Sequence, residues 1–207
     1  MNYTKRVRDY CQAHKNTILD VSTVRNSEFA DVPYKTLLKI LNRLEEEMLL
    51  ETVTKGVYYI GTKRLTEDFL LSQYIDNGKG MVIGYEMFNS IGLSAYQDDK
   101  VEAYTNAITS QQKTIGQFRL KKAELLFDDA TIDVVAILEI LDAGFAIKDY
   151  DYNTYRNITG LLAQSYSDEI FGKVISAIRY KYSTIEKLSA LLDRMKINNC
   201  CIEIYSA

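Results

Sequence analysis

Between Arg25 and Ile60 the sequence combines a proline turn, a strongly amphipathic stretch and a glycine-containing ribbon, in that order. We predict a helix, a tight turn over 31–33, a second helix, and two β-strands that turn at Lys55 and Gly56. The same order of elements occurs in the winged helix-turn-helix, which places one helix in the major groove of DNA. The segment therefore predicts an N-terminal DNA-binding domain within an α+β fold.

The chain divides into three predicted parts. Residues 1–64 form the winged helix-turn-helix, residues 65–80 a helical linker, and residues 81–207 a mixed, mostly helical interaction domain with a small β-sheet. Thr66 is a suitable N-cap for the linker helix, and Gly78 a suitable stop.

Within the third part, the segments "KVEAYTNAI" and "KTIGQFRL" have the alternation and β-rich composition of strands. The segment "MVIGYEMFNSIGL" predicts a short helix that closes at Gly92. The strongly apolar "IDVVAILEILDAG" predicts a longer helix, capped by Thr131 and followed by Gly144. Helical spacing predicts three further helices, over 155–165, 168–182 and 185–196.

Charge is distributed unevenly along the chain. The net charge is -3, but residues up to Arg64 carry 11 Lys and Arg against 8 Asp and Glu, while the rest carry 14 against 20. A basic first part joined to an acidic body suggests nucleic acid as the partner at one end and a different partner at the other.

The predicted second helix, over 33–49, has one apolar stripe formed by Leu37, Leu41, Leu44 and Met48. The opposite face then carries side chains that can reach phosphates or base edges, whereas the acidic run 45–47 falls at the far end. Recognition helices contact DNA mainly through their N-terminal half, which matches this polarity. The candidate DNA contacts on this helix are Tyr34, Lys35, Thr36, Lys39, Asn42 and Arg43.

The predicted hairpin and an N-terminal helix add further candidates. Lys55 lies at the hairpin turn, where Gly56 permits a positive backbone angle, and Tyr58 or Tyr59 on the ribbon adds a contact, for which Tyr58 is the candidate. This further helix, predicted over 3–14, offers Lys5, Arg6 and Arg8 to the phosphate backbone. Two alternatives remain open: the basic residues form an ordinary solvated helix face, or the winged helix binds a protein.

Residues that would carry catalysis are sparse. His14 has no Cys or carboxylate pattern beside it, and the pairs Asp98-Asp99 and Asp128-Asp129 are interpreted as solvated turns. The glycines of "GKGMVIG" lack GxGxxG and Walker spacing and are interpreted as a linker. We expect a protein that is not an enzyme and that needs no cofactor or metal.

The cysteines and the apolar runs bear on the compartment. Cys11, Cys200 and Cys201 lack CxxC spacing, and we interpret them as reduced, buried thiols. The N-terminal segment lacks the apolar core of a signal peptide, and no apolar run approaches the roughly 18 residues that span a bilayer. We therefore expect a cytoplasmic protein that does not contact a membrane.

The order of the segments "KGVYYI", "GYEMFNSIGLSAYQDDKVEAYTN" and "IDVVAILEIL" resembles the AbiEi-like antitoxins of type IV toxin-antitoxin systems, which act in abortive infection. The residues that carry the resemblance are Gly56, Val57 and Tyr58, Gly84 and Tyr85, Gly92 and Leu93, and Thr105 and Asn106. The resemblance implies a repressor that binds inverted repeats in its own promoter and separately neutralises a co-encoded nucleotidyltransferase toxin.

Two other functions fit the same sequence. The chain could be a stand-alone transcriptional regulator whose C-terminal part forms a homodimer or senses a ligand. It could also be an enzyme with a winged-helix appendage, although the catalytic motifs named above are missing. A nucleotidyltransferase-like reading frame directly downstream would favour the antitoxin.

Overall fold

The computed structural model describes residues 2–61 and 65–206. The fold is α+β, mostly helical with two small sheets, as the sequence predicts. The predicted end of the DNA-binding domain at residue 64 lies outside the described residues. No helix in the two described ranges is long and apolar enough to cross a membrane.

The N-terminal unit contains three helices and a three-stranded antiparallel sheet in the order β1-β3-β2. Its buried core joins Val7 of the first helix, Leu19 of the first strand and Phe29 to the apolar side of the third helix. The elements are α1 (Tyr3–Ala13), β1 (Thr17–Asp20), α2 (Val21–Val24), α3 (Tyr34–Glu46), β2 (Leu50–Thr54) and β3 (Val57–Ile60).

The segment before α3 differs from the predicted full helix. Only Val21–Val24 is α-helical, and irregular turns continue to Pro33. Phe29 is buried, and its amide donates to the carbonyl of Val24 at 2.9 Å. Phe29 therefore anchors the irregular turn segment to the core.

The second unit begins with a mixed four-stranded sheet in the order β4-β5-β7-β6, in which β5 and β7 are parallel and the other pairs antiparallel. The strands predicted in "KVEAYTNAI" and "KTIGQFRL" are confirmed. The elements are α4 (Glu67–Ile75), β4 (Gly80–Ile83), α5 (Gly84–Ser90), β5 (Val101–Thr105), β6 (Gln112–Ile115) and β7 (Phe118–Lys122).

The segment predicted as a helical linker contains helix α4, which packs against the sheets. Thr66 does cap α4, accepting from the Phe69 amide at 3.3 Å, but Leu70 and Tyr74 of α4 are buried between the two sheets. Gly80 is the first residue of β4, and the expected helix over "MVIGYEMFNSIGL" begins as this strand. A Cβ at Gly80 would overlap the carbonyl oxygen of the neighbouring strand, so this glycine serves close sheet packing.

The remaining chain is a helical body built around α6, which is buried on nearly all sides, as expected for a helix that is apolar all round. Asp128, three residues before Thr131, is the observed N-cap of α6. The helices are α6 (Asp129–Ala143), α7 (Tyr152–Leu162), α8 (Asp168–Ala177), α9 (Tyr182–Arg194) and α10 (Cys201–Ser206), with 3-10 turns at Gly144–Ala146 and Ala163–Ser165.

The cysteines are all free thiols. Cys11 and Cys201 are buried, as predicted, and burial raises the pKa of the Cys11 thiol to about 11. Cys200 is exposed, contrary to the prediction, because it precedes α10 and only its neighbour points into the core.

Candidate nucleic-acid interface

Helix α3 is the element that carries most of the predicted contacts. It begins after Pro33, whose carbonyl accepts from the amides of Thr36 and Leu37 at 2.8 and 3.0 Å. Its buried side is formed by Leu37, Ile40, Leu41 and Leu44, which face α1 and the sheet.

Met48 does not belong to that stripe, which corrects the prediction. The helix ends at Glu46, Met48 has a left-handed backbone angle of φ 58°, and its side chain is 77% exposed. Ile40, which the predicted stripe omits, is buried in the core. The predicted spacing fails at Met48 because the helical period no longer applies once the helix has ended.

The exposed side of α3 presents the predicted polar residues in three rows. At about 100° per residue, Lys35 and Lys39 point directly away from the buried stripe. Thr36 and Arg43 lie on the side of α1, where they and Lys39 line a shallow depression together with Asn2, Tyr3 and Thr4. Tyr34 and Asn42 lie on the side of the hairpin.

A concave surface of about 580 Å³ lies between α3 and the β2–β3 hairpin. Tyr34 and Asn42 line it on the helix side, and Lys55 and Gly56 line it on the hairpin side. Gly56 has a positive φ of 77°, as predicted for the turn. Its carbonyl accepts from the Val21 amide at 2.9 Å, which fixes the hairpin tip beside the start of α2.

Tyr58, a predicted contact, is largely buried, although it is one of the residues that line the concave surface beside the hairpin. Its side chain is only 6% exposed and belongs to the core of the N-terminal unit. Burial raises the pKa of its hydroxyl. All four residues of β3 are buried, so neither face of the strand is free.

The cations of this face are not neutralised. Within the described residues, Lys35, Lys39, Arg43 and Lys55 make no ion pair, and their side chains are exposed. Nearby Glu45 is turned inward, where it accepts from the Thr52 amide at 3.1 Å. The surface thus combines an exposed helix face, a hairpin tip and an excess of positive charge. Such a surface attracts polyanions electrostatically.

Two basic residues of α1 are engaged elsewhere. Arg6 pairs with Asp31 at 2.8 Å, and Arg8 pairs with Glu47 at 2.7 Å. The Arg8 guanidinium lowers the pKa of Glu47 by hydrogen bonding to it. The predicted phosphate contacts of Arg6 and Arg8 are therefore replaced by contacts that join α1 to the turn before α3 and to the end of α3.

The structure adds cations that the sequence patterns did not single out. Arg25 lies over the ring of Tyr34, with its guanidinium carbon 5.0 Å from the ring centroid. Lys113 of β6 also lines the hairpin concavity and pairs with Asp20, the N-cap of α2. Arg25 directly follows α2 and could have been found from its position, whereas Lys113 is brought in from 93 residues away by the packing of the two sheets.

The acidic pairs and the histidine make contacts that stabilise the local backbone or pack against a neighbouring ring. Asp128 accepts from the Thr131 amide at 2.8 Å, and hydrogen bonds from the side chain and the amide of Thr131 lower the pKa of Asp128. Asp98 accepts from the Lys100 amide. The His14 ring stacks on Tyr10 with centroids 4.0 Å apart, at the end of α1. Across residues 2–61 and 65–206, no group of three His, Cys, Asp or Glu side chains is arranged to hold a metal ion.

Neither protein-family models nor curated proteins gave a match to this chain.

Proposed function

We propose that the N-terminal unit is a winged helix-turn-helix that binds double-stranded DNA, with α3 in the major groove and the β2–β3 hairpin as the wing. The observation that carries the proposal is the outer side of α3, where the side chains of Lys35, Lys39 and Arg43 are exposed and form no ion pair within the described chain. An α-helix with its side chains has a diameter of roughly 10–12 Å, close to the width of the major groove.

The contacts divide by their chemistry. Lys35 and Lys39 point directly outward and are assigned to phosphates or base edges, while Asn42 is the residue type that reads adenine. Lys55 at the hairpin tip is assigned to a phosphate. Tyr34 is 44% exposed and is held by Arg25, so this pair borders the groove as a unit.

The biological role we propose is that of a repressor and antitoxin. The resemblance to AbiEi-like antitoxins implies binding to inverted repeats in the chain's own promoter and neutralisation of a co-encoded nucleotidyltransferase toxin by the helical body. The uneven charge supports two separate partners, since the basic unit suits DNA and the acidic body a protein.

DNA binding is tested by fluorescence anisotropy of the full chain with the duplex upstream of its gene. We expect the K35A/K39A variant to lose affinity by about tenfold or more, because both ammonium groups face the proposed groove. The matched control is K15A/K100A, which removes two exposed lysines that lie outside both α3 and the hairpin. Equal affinity of K35A/K39A and the wild type would exclude α3 as the DNA-reading helix.

Toxin neutralisation needs its own experiment. The protein is co-expressed with the product of the reading frame directly downstream, and growth and co-purification are measured. The proposal predicts growth arrest by the neighbour alone, rescue on co-expression and, because the two activities are separate, rescue also by K35A/K39A. Arrest that persists on co-expression contradicts the antitoxin role and leaves the DNA-binding result intact.

A further inference from the structure

A second concave surface lies in the helical body, far along the chain from the DNA-binding unit. It is bordered by the end of α6, the start of α7 and the middle of α9, and has a volume of about 340 Å³. Leu141, Ala190 and Leu191 contribute apolar surface to it. We call this concave surface the body groove.

Aromatic side chains surround the body groove. Phe145 is 89% exposed and Tyr152 is 59% exposed, and Tyr152 stacks on Tyr155 with ring centroids 6.5 Å apart. Large aromatic side chains left in water at one place are characteristic of a surface that contacts another protein.

The charges around the body groove are all positive. Arg156, Lys187 and Arg194 line it, and no carboxylate side chain of the described residues does so. Lys187 donates to the carbonyl oxygen of Leu141 at 2.8 Å. Arg156 and Arg194 are exposed and form no ion pair within the described chain. The body groove is therefore positively charged although the part of the chain after Arg64 has a net negative charge.

We propose that the body groove binds an acidic peptide segment of a partner protein. One apolar or aromatic side chain of the segment occupies the floor, and Asp or Glu side chains on either side of it pair with Arg156 and Arg194. A volume of about 340 Å³ is at the small end for a ligand pocket and suits one anchoring side chain. Arginine and aromatic residues are also the types that dominate binding energy at protein interfaces. This inference does not rest on DNA binding.

The test uses a synthetic, fluorescein-labelled peptide in which one Phe is flanked on both sides by Asp and Glu. Its anisotropy is titrated with the full chain at low ionic strength. We expect saturable binding that weakens as salt rises, and no binding of the matched peptide in which Lys replaces each acid. Absence of saturable binding by the acidic peptide overturns the proposal.

Two variants separate the charges from the apolar floor. R156Q/R194Q removes both unpaired guanidinium groups and is expected to weaken binding about tenfold, the effect of two partly exposed ion pairs. Ala190→Phe fills the floor from the exposed side of α9 without changing the charge, and is expected to weaken the same peptide. Thermal unfolding followed by circular dichroism checks that both variants fold.

The matched control is K100Q/R179Q, which neutralises two exposed cations of the second unit outside the groove. It should bind the acidic peptide as the wild type does. Equal binding by R156Q/R194Q and the wild type would show that the peptide binds elsewhere. If N-acetyl-phenylalanine bound as tightly as the peptide, the groove would be a small-anion site and the proposal would be wrong. Neither outcome affects DNA binding by α3.

Discussion

Glu139 of α6 is the acceptor of a buried hydrogen-bonded network, and its removal has a calculable cost. Its Oε1 accepts from the hydroxyls of Tyr104 at 3.1 Å and Tyr180 at 3.0 Å. Burial raises the pKa of Glu139, although the two hydroxyls and nearby Lys121 favour its charged form. The network links the second sheet, through β5, to the segment between α8 and α9.

Glu139→Ala leaves two hydroxyl donors without their acceptor. An unsatisfied buried donor costs about 1–3 kcal/mol. Tyr180 is buried, whereas Tyr104 is half-buried and its hydroxyl can partly hydrogen-bond to water instead. The cost for the Tyr104 hydroxyl is therefore at the lower end of this range. The free energy of unfolding should therefore fall by about 2–4 kcal/mol, measured by urea unfolding of the full chain.

Glu139→Gln is the matched control because the amide oxygen can accept from both hydroxyls. We expect a free energy of unfolding within about 1 kcal/mol of the wild type. The pH profiles should differ. The pKa of Glu139 in the folded chain is raised above its ordinary value of 4.5. Its protonated carboxyl therefore contributes stability that is fully present below pH 4.5. That stability is lost as pH rises through the folded pKa, and the Gln variant lacks this component.

Two results would refute this reasoning. An Ala variant that unfolds at the same urea concentration as the wild type, with an unchanged slope, would show that the hydroxyls do not depend on Glu139. Identical pH profiles for the wild type and the Gln variant would show that Glu139 has the same proton affinity in the folded and unfolded chain.

Three further predictions concern the packing of the two units. Lys113→Met removes the cation that pairs with Asp20, whose side chain is 9% exposed, and should lower the free energy of unfolding by about 1–3 kcal/mol. The D20N/K113M double variant should recover part of this loss. Urea unfolding of the full double-mutant cycle measures both effects. Gly80→Ala introduces a methyl group against the neighbouring strand and should cost about 1–3 kcal/mol, seen as a lower Tm. Ile40→Ala should lower the free energy of unfolding by about 2–4 kcal/mol, whereas Met48→Gln should change it by less than about 0.5 kcal/mol. A larger loss for Met48→Gln than for Ile40→Ala would show that Met48 is part of the core.

The parts of the fold set by local chemistry were predictable. Helix α3, the hairpin turn at Gly56 and the cap at Thr66 follow from signals that lie within a few residues of each other. Side-chain direction on α3 follows from the helical period, so Lys35 and Lys39 are exposed as predicted.

The parts set by long-range packing were not predictable. Gly80 resembles a linker residue in sequence, but its lack of a side chain lets β4 pack closely in the sheet. Tyr58 lies close to the hairpin turn and is expected on an exposed ribbon, yet both faces of β3 are covered, one of them by the second sheet. Lys113 enters the candidate interface only because the two sheets pack together.

The central claim is that α3 contacts DNA phosphates through its unpaired cations. Its most direct test is the dependence of affinity on salt for the upstream duplex, measured for the wild type and K35A/K39A. Five unpaired cations, Arg25, Lys35, Lys39, Arg43 and Lys55, predict a slope of log K against log salt of about −4 to −5 if each meets a phosphate. The variant should have a slope smaller in magnitude by about two. An equal slope in both proteins would contradict the account.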